Sequence, residues 1–392
     1  MKNKLTAREA AAELGIGVAS LYAYVSRGMI RSEPQPGTRT KLYSAEDVRA
    51  LKGRVAGAAP ERPGAGGLGP APIETALTLI RDDRLFYRGI DVETLARHAR
   101  LEAVASLLWD TGAPETGDAD PFAAAAPFQT VAVPEDGGIV GRLLVGLARA
   151  AETDLAGYAP GPAAIARTGA RILRQMTHVA TGAPLGTDQP IHAALAKAWN
   201  APAEPIRRAL VLMADHELAA STLAVRVTAS TGASPWRAVT SGLACLDGPR
   251  HGGMSDRVAA LFETVGDGDP ERALAARLKA GETLPGFGHP LYRGEDPRSR
   301  LLVEAVRARP EAARVIARAD AIAAAAERLT GRHPNLDFGL VVAARAIGLP
   351  AEAPITLFAI ARTVGWIGHV IEQSAVGKLI RIRATYIGRR PD

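Results

Sequence analysis

The sequence predicts a mainly α-helical protein with a small basic module at its N-terminus, and three observations lead there. Alanine is abundant and recurs at helical spacing while aromatic residues make up only 5%, a balance that favours helix over sheet. Pro and Gly punctuate the chain, and no alternating strand series long enough for a central sheet is present. The positive charge is concentrated at one end: residues 1–57 hold ten Lys/Arg against five Asp/Glu, so +5 of the net +6 lies there. At 392 residues the chain exceeds the usual single-core size, and 47% hydrophobic with 22% charged residues is an ordinary globular balance. Two or more folded units are expected. A basic segment on a nearly neutral body points to one domain, not the whole chain, meeting a polyanion.

The first element is a short helix. Thr6 caps it with Glu9 completing a capping box, Ala10, Ala11 and Leu14 form its apolar stripe, and Gly15 ends it. A second helix begins near Val18 and carries Ser20, Tyr22, Tyr24 and Arg27. Ser32 to Tyr43, with two prolines, Gly37, Arg39 and Lys41, reads as a β-wing, and Ser44 opens a third helix with Asp47 in its first turn. Residues 1–56 resemble the winged helix-turn-helix of the mercury-resistance-regulator and excisionase type. That resemblance implies DNA as a partner, with Ser20, Tyr22 and Arg27 reaching base edges and Arg39 and Lys41 holding phosphates. Arg27, Arg31, Arg39 and Lys41 would together displace counterions. The alternative is a basic helical module used for protein contacts.

Residues 57–71, GAAPERPGAGGLGPA, read as a flexible linker, and Gly112 to Pro127 as a long surface loop. The remainder is helical in period. The single cysteine, Cys245, sits in the apolar string GLACLDG and is read as a small core residue. No thiol pair offers a metal site, and His216-Glu217-Leu218-Ala219-Ala220 lacks the second histidine of a zinc helix. No serine elbow is present. The N-terminus lacks the apolar stretch of a signal peptide, and no uncharged apolar run is long enough to span a bilayer, so a cytoplasmic protein with no membrane partner is expected.

Four segments concentrate His, Asp and Arg beside glycine: GPRHGG (248–253), PGFGHPLYRGEDPR (285–298), HPNLDFG (333–339) and FAIARTVGWIGHVIEQ (358–373). Singly, each is ordinary turn or cap chemistry. Together, with LTLIRDDRLFYRGIDVETLARHARLEAVASLLWDTG and ADHELAASTLAVRVTAST, they resemble the citrate synthase family from about Ile73 to Gly388. The resemblance implies an all-α fold with a large domain (72–250 and 351–392) and a small domain (251–350). It implies a homodimer that needs no cofactor or metal. The reaction implied is condensation of acetyl-CoA with oxaloacetate or a related 2-oxo acid, then hydrolysis to citrate and CoA, as in the tricarboxylic acid cycle.

Residue by residue, the resemblance makes Asp337 the base that deprotonates the acetyl methyl group and His251 the neutral donor to the thioester oxygen. His289 polarises the ketone. His216, Arg298, Arg362 and Arg381 hold substrate carboxylates, with Arg381 reaching across from the other subunit, and Arg293 lies near the CoA phosphates. Chemistry independently asks for these types. A methyl group beside a thioester is a very weak acid, so its enolate oxygen must be met by a fixed donor, worth about 3 kcal/mol. Arginine forks suit dicarboxylates. The chain departs from the family pattern at Pro290 after His289, at Ile382 after Arg381, and between Asp120 and Pro160. The 2-oxo acid therefore stays open. Two further readings share these residues: a DNA-binding regulator that senses a CoA ester or carboxylate, and an enzyme cleaving citryl-CoA or a related ester.

Overall fold

The computed structural model describes residues 4–14, 21, 25, 30–34, 40–48, 73–111, 121–124, 130–184, 186, 189–382 and 384–389. Ser20, Tyr22, Arg27 and Arg39, and the linker at 57–71, lie outside the described residues. The chain divides into two compact units, Met1–Ala71 with Ile382–Asp392, and Pro72–Arg381.

In the first unit, β1 (Lys4–Leu5), β2 (Ser32–Pro34) and β3 (Lys41–Ser44) form an antiparallel sheet in the order β1-β3-β2. Helix α1 (Ala7–Leu14) starts at the expected capping box: the Thr6 amide donates to Glu9 Oε2 at 2.8 Å, and the Glu9 amide to Thr6 Oγ1 at 3.3 Å. Leu5, Ala10, Leu21, Ile30, Tyr43, Ala45 and Val48 form a small core. Lys41 is exposed on β3, opposite Pro34. Arg31 is less available to phosphates than expected, because Asp47 accepts from its Nε at 2.9 Å, its guanidinium at 2.8 Å and its amide at 2.8 Å. The same bonds hold the Asp47 carboxyl down at about 2.

The second unit opens with an antiparallel sheet of β4 (Thr78–Arg81), β5 (Arg84–Tyr87) and β6 (Ile90–Asp91). Asp82 and Asp83, both at positive φ (52° and 56°), make the two-residue turn between β4 and β5 that matches strand twist. Helices follow: α2 (Val92–His98), α3 (Leu101–Trp109), α4 (Pro121–Ala124), α5 (Ile139–Thr153), α6 (Pro162–Thr181), α7 (Ile191–Ala198), α8 (Ala203–Leu212), α9 (Ala220–Ser230) and α10 (Pro235–Leu246). Then come α11 (Met254–Val265), α12 (Pro270–Lys279), α13 (Pro297–Arg307), α14 (Ala313–Thr330), α15 (Leu336–Ala346) and α16 (Ala353–Val376). Three local readings need correction. The β4–β6 sheet was not anticipated, α4 interrupts the supposed loop at 112–127 and stacks Phe122 on Trp109, and Cys245 is only partly buried.

Helix α16 is the centre of this unit. Every residue from Ala353 to Ile371 is buried, and α3, α6, α8, α9 and α10 all pack on it. By length and composition it could cross a membrane, but its apolar window is wholly buried inside the protein. Helices α11 to α15 form the second cluster, joined to the first where α13 meets α8 and α15 meets α16.

The approach of the 213–217 loop to α16 depends on Gly365. Its amide donates to the Ala214 carbonyl at 2.9 Å, and a Cβ there would abut the Asp215 carboxylate and lie 2.6 Å from the Ala214 oxygen. Neither neighbour is a flexible tip, so a methyl group must push the loop away. Gly365→Ala is expected to cost about 3 kcal/mol in urea unfolding, the upper end for overpacking. A loss well below about 1 kcal/mol would show that the loop can retreat freely.

Candidate active site

Two of the glycine-bearing segments are bound to each other. Phe287 bridges to Pro334, the Gly288 amide donates to the His333 carbonyl at 2.8 Å, and the Asn335 amide donates to the Gly286 carbonyl at 2.9 Å. Gly286 and Gly288 sit at φ of 84° and 79°, backbone that only glycine adopts without strain. Asn335 caps α15 by accepting from the Asp337 amide at 3.1 Å and also donates to the Gly288 carbonyl. His289 and Asp337 are thus carried by one paired substructure.

Asp296 links this substructure to α13. It caps the helix, grips Arg298 through Nε (2.9 Å) and a terminal nitrogen (2.8 Å), and accepts from the Leu336 amide at 3.0 Å. Arg298 is buried and lies 5.5 Å from the Tyr292 ring. Tyr292 meets His289 at 4.8 Å between centroids, and its hydroxyl is 3.0 Å from His216 Nε2. His216 and His289 stand edge to face at 5.2 Å. Glu217, at φ 53°, bends the loop just after His216, a strained backbone of the kind that collects at functional sites.

His251 closes the other side. Its Nε2 is 2.7 Å from Ser221 Oγ at the start of α9, and its ring stands edge to face on Phe358 at 5.7 Å. Arg362, one turn further along α16, lies 4.8 Å from the Phe358 ring and donates through Nε to the Met213 carbonyl at 3.0 Å. Four residues beyond His251, Ser255 Oγ reaches Asp337 Oδ1 at 3.5 Å.

Burial and two cations set the protonation states. Burial pushes His251 and His289 down to about 4, helped by Arg362 and Arg298 respectively. His216 falls well below its ordinary value by burial, then by Arg298 and Arg362. Burial lifts the Asp337 carboxyl to about 7 and lowers Arg362 to about 10. For Arg298 burial also pulls downward, but Asp296 outweighs it. The site therefore presents three neutral imidazoles, two cations and one carboxyl that ionises near neutrality. Such a set can remove a weakly acidic proton and meet the resulting oxyanion with neutral donors.

Of the residues singled out in the sequence, His216, His251, His289, Arg298, Asp337 and Arg362 converge here. Arg293 borders it: exposed, its amide donating to Asp83 Oδ1 at 2.7 Å, it lines a 420 Å³ cleft with His289, Arg332 and His333. Arg381 is exposed and stands apart. The preceding Ile380 amide binds Ser230 at the far end of α9, about 14 Å along the axis from Ser221. Sequence reasoning passed over Ser221, Ser255, Tyr292, Asp296 and Arg332. Asp296 carried a signal, as an Asp-Pro pair opening a helix.

The family model for the citrate synthase C-terminal domain matches residues 147–383, more than half of the chain. This chain belongs to the citrate synthase family. It is 38% identical over 193 residues to a citrate synthase of Haloferax volcanii, covering 48% of this chain and 51% of that one. A citrate/2-methylcitrate synthase of Bacillus subtilis is 37% identical over 188 residues, covering 47% and 50%. The chain thus spans about half the length of the curated relatives it matches. The fold extends further. A ternary complex of Thermoplasma acidophilum citrate synthase with carboxymethyl coenzyme A and oxaloacetate superposes with TM-score 0.70 at 25% identity, covering 82% of this chain and 94% of that one. The Pyrobaculum aerophilum enzyme gives TM-score 0.71 at 22% identity, covering 85% and 98%.

Asp337 should cost the fold stability as it ionises. Its pKa rises from 3.8 to about 7 on folding. Between those values the folded state binds more protons than the unfolded state, so this group's contribution to stability falls as pH rises. Asp337→Asn, which carries no charge, is expected to melt higher than wild type at pH about 8, with the difference shrinking toward pH about 5. Equal melting temperatures across that range would show that the carboxyl is not raised.

Proposed function

We propose that this protein condenses acetyl-CoA with oxaloacetate or a close 2-oxo acid and hydrolyses the CoA ester formed. The observation that carries the reading is a carboxyl poised near 7, Asp337, beside two imidazoles held neutral, His251 and His289. In this scheme Asp337 takes a methyl proton from the acetyl group. His251, fixed by Ser221, donates to the thioester oxygen as it gains charge. The enol carbon attacks the ketone, and His289 donates to the alkoxide that forms. Arg298, Arg362 and His216 hold the carboxylates of the 2-oxo acid. The cleft with Arg293, Arg332 and His333 suits the CoA phosphates, and hydrolysis of the thioester releases the free thiol.

The same reading divides the chain beyond residue 71 into a large domain (72–250 and 351–392) and a small domain (251–350), closing over substrate. It also makes the active form a homodimer. Arg381 follows Ile380, whose amide is held at the Ser230 end of α9, away from Ser221 and His251, and in this reading its guanidinium serves the partner subunit's site.

Thiol release with acetyl-CoA and a panel of 2-oxo acids tests the reaction. Turnover should rise from pH about 6 to 8 with a midpoint near 7, because only the ionised form of a general base accepts the proton. Asp337→Asn should lose at least about a thousandfold in kcat while still binding CoA. Near-normal turnover by that variant would remove Asp337 from the mechanism.

A second reading, compatible with the first, is DNA binding by residues 1–56. The basic bias of this segment and the antiparallel β2–β3 pair bearing exposed Lys41 favour it. In a polarisation titration on the protein's own promoter region, affinity should fall steeply with salt. Arg39→Ala with Lys41→Ala should weaken all sequences together. Absence of binding at low salt would leave the unit as a contact module.

A further inference from the structure

Tyr292 occupies the middle of the site, yet condensation as derived above gives it no task. It is only 4% exposed. Its ring is packed on His289, and the Arg298 guanidinium lies over it. Its hydroxyl lies 3.0 Å from His216 Nε2, the one hydrogen-bond partner it has among the described residues.

The direction of that bond follows from counting protons. Burial pushes the phenol up to about 12, so it keeps its hydrogen at neutral pH. His216 is neutral, through burial and the nearby Arg298 and Arg362, and a neutral imidazole carries a single N–H. If that hydrogen were on Nε2 it would point at the phenol oxygen, and the buried phenolic proton would have no acceptor among the described residues. Leaving a buried donor unpaired is costly, and few native groups are left so. If the phenol donates instead, Nε2 is the acceptor and the imidazole hydrogen is on Nδ1. Among the described residues Nδ1 has no hydrogen-bond partner. It is then a donor left for a ligand, in a pocket where Arg298 and Arg362 favour an anion.

We propose that Tyr292 is a positioning residue for the 2-oxo acid: by donating to Nε2 it holds His216 as the Nδ1–H form, so that His216 can only donate to a substrate oxygen. The proposal rests on the condensation reading for the identity of that ligand. Arg362 and Arg298 supply charge for the carboxylates. His216, set by Tyr292, supplies a neutral donor of fixed polarity, which discriminates between a carboxylate or ketone oxygen and a group that itself donates.

Tyr292→Phe keeps the ring that supports His289 and removes only the hydroxyl. Long-range proton–nitrogen spectra of the histidine side chains report the tautomer directly, and His216→Gln identifies the relevant signals. In the wild-type protein His216 should show a protonated Nδ1 and a bare Nε2, and Tyr292→Phe should lose that preference. In steady-state assays the variant's KM for oxaloacetate should rise about tenfold, with kcat within about twofold and KM for acetyl-CoA unchanged. Calorimetric affinity for oxaloacetate should fall by a similar factor. A wild-type His216 protonated on Nε2, or an unchanged oxaloacetate affinity in Tyr292→Phe, would overturn the proposal. So would a fall in kcat accompanied by a lower melting temperature, because that pattern belongs to a packing role. Should the wild-type protein condense no 2-oxo acid at all, the functional reading fails, and the spectra with the oxaloacetate calorimetry still decide the role of Tyr292.

Discussion

Two guanidinium groups buried in a helical core set the terms for everything around them. Arg298 and Arg362 are each no more than 2% exposed, and an unpaired buried ion costs several kcal/mol even after relaxation. The two are compensated differently. Arg298 is gripped along one edge by Asp296. Arg362 has one hydrogen bond among the described residues, to a carbonyl, and draws on Asp215 only at longer range. Its depressed pKa reports that shortfall. Under the condensation proposed above, a carboxylate placed beside Arg362 would supply the pairing that the protein itself gives only at a distance.

Asp215 must then serve more than one neighbour. It is fully buried, accepts from Thr78 Oγ1 at 2.5 Å and lies 3.4 Å from His369 Nε2. Arg226 donates to His369 Nδ1 at 3.0 Å, which leaves the imidazole proton on Nε2, facing Asp215. Arg226 in turn binds Glu372 at 2.7 Å and Gln373 at 3.1 Å. The chain Thr78–Asp215–His369–Arg226–Glu372 therefore ties β4, the 213–217 loop, α9 and α16 into one polar network. Every link raises the cost of moving the loop that carries His216. Rigidity at His216 and charge at Arg362 come from the same buried aspartate.

This explains which parts of the molecule were legible in the sequence. Helical period, capping boxes and the Pro and Gly boundaries depend on neighbours in the chain, and α1 with its Thr6–Glu9 cap, α13 and α15 follow from them. The histidines and Asp337 stood out because rare residue types sat beside glycines. Their partners did not. Ser221 and Ser255 are common residues whose role is defined only by which helix faces which. Tyr292 looked like part of a loop until the 286–289 and 333–335 segments paired. The β4–β6 sheet was hidden by strands of two to four residues, too short for an alternating pattern, although the Asp82-Asp83 turn was a usable signal. Arg31 looked like a free cation because Asp47, its partner, is sixteen residues away.

Asp337 shows how magnitudes decide such a site. It lies in the first turn of α15, where the helix dipole favours a charged carboxylate, as does the Ser255 hydroxyl. The dipole effect is worth at most about 2 kcal/mol, or roughly one and a half pKa units downward. Arg298 and Arg362 add pulls in the same direction. Desolvation works the other way and can reach about 3 to 5 units for a fully buried carboxyl, more than the half-buried Asp337 side chain requires. The balance near 7 means that burial wins, though not by its full range. A more exposed Asp337 would be ionised with little affinity for a proton, and without the nearby cations its pKa would stand higher still. Desolvation and Asp296 push the carboxyl up while Arg298, Ser255 and Arg362 pull it down, and the value near 7 is their balance.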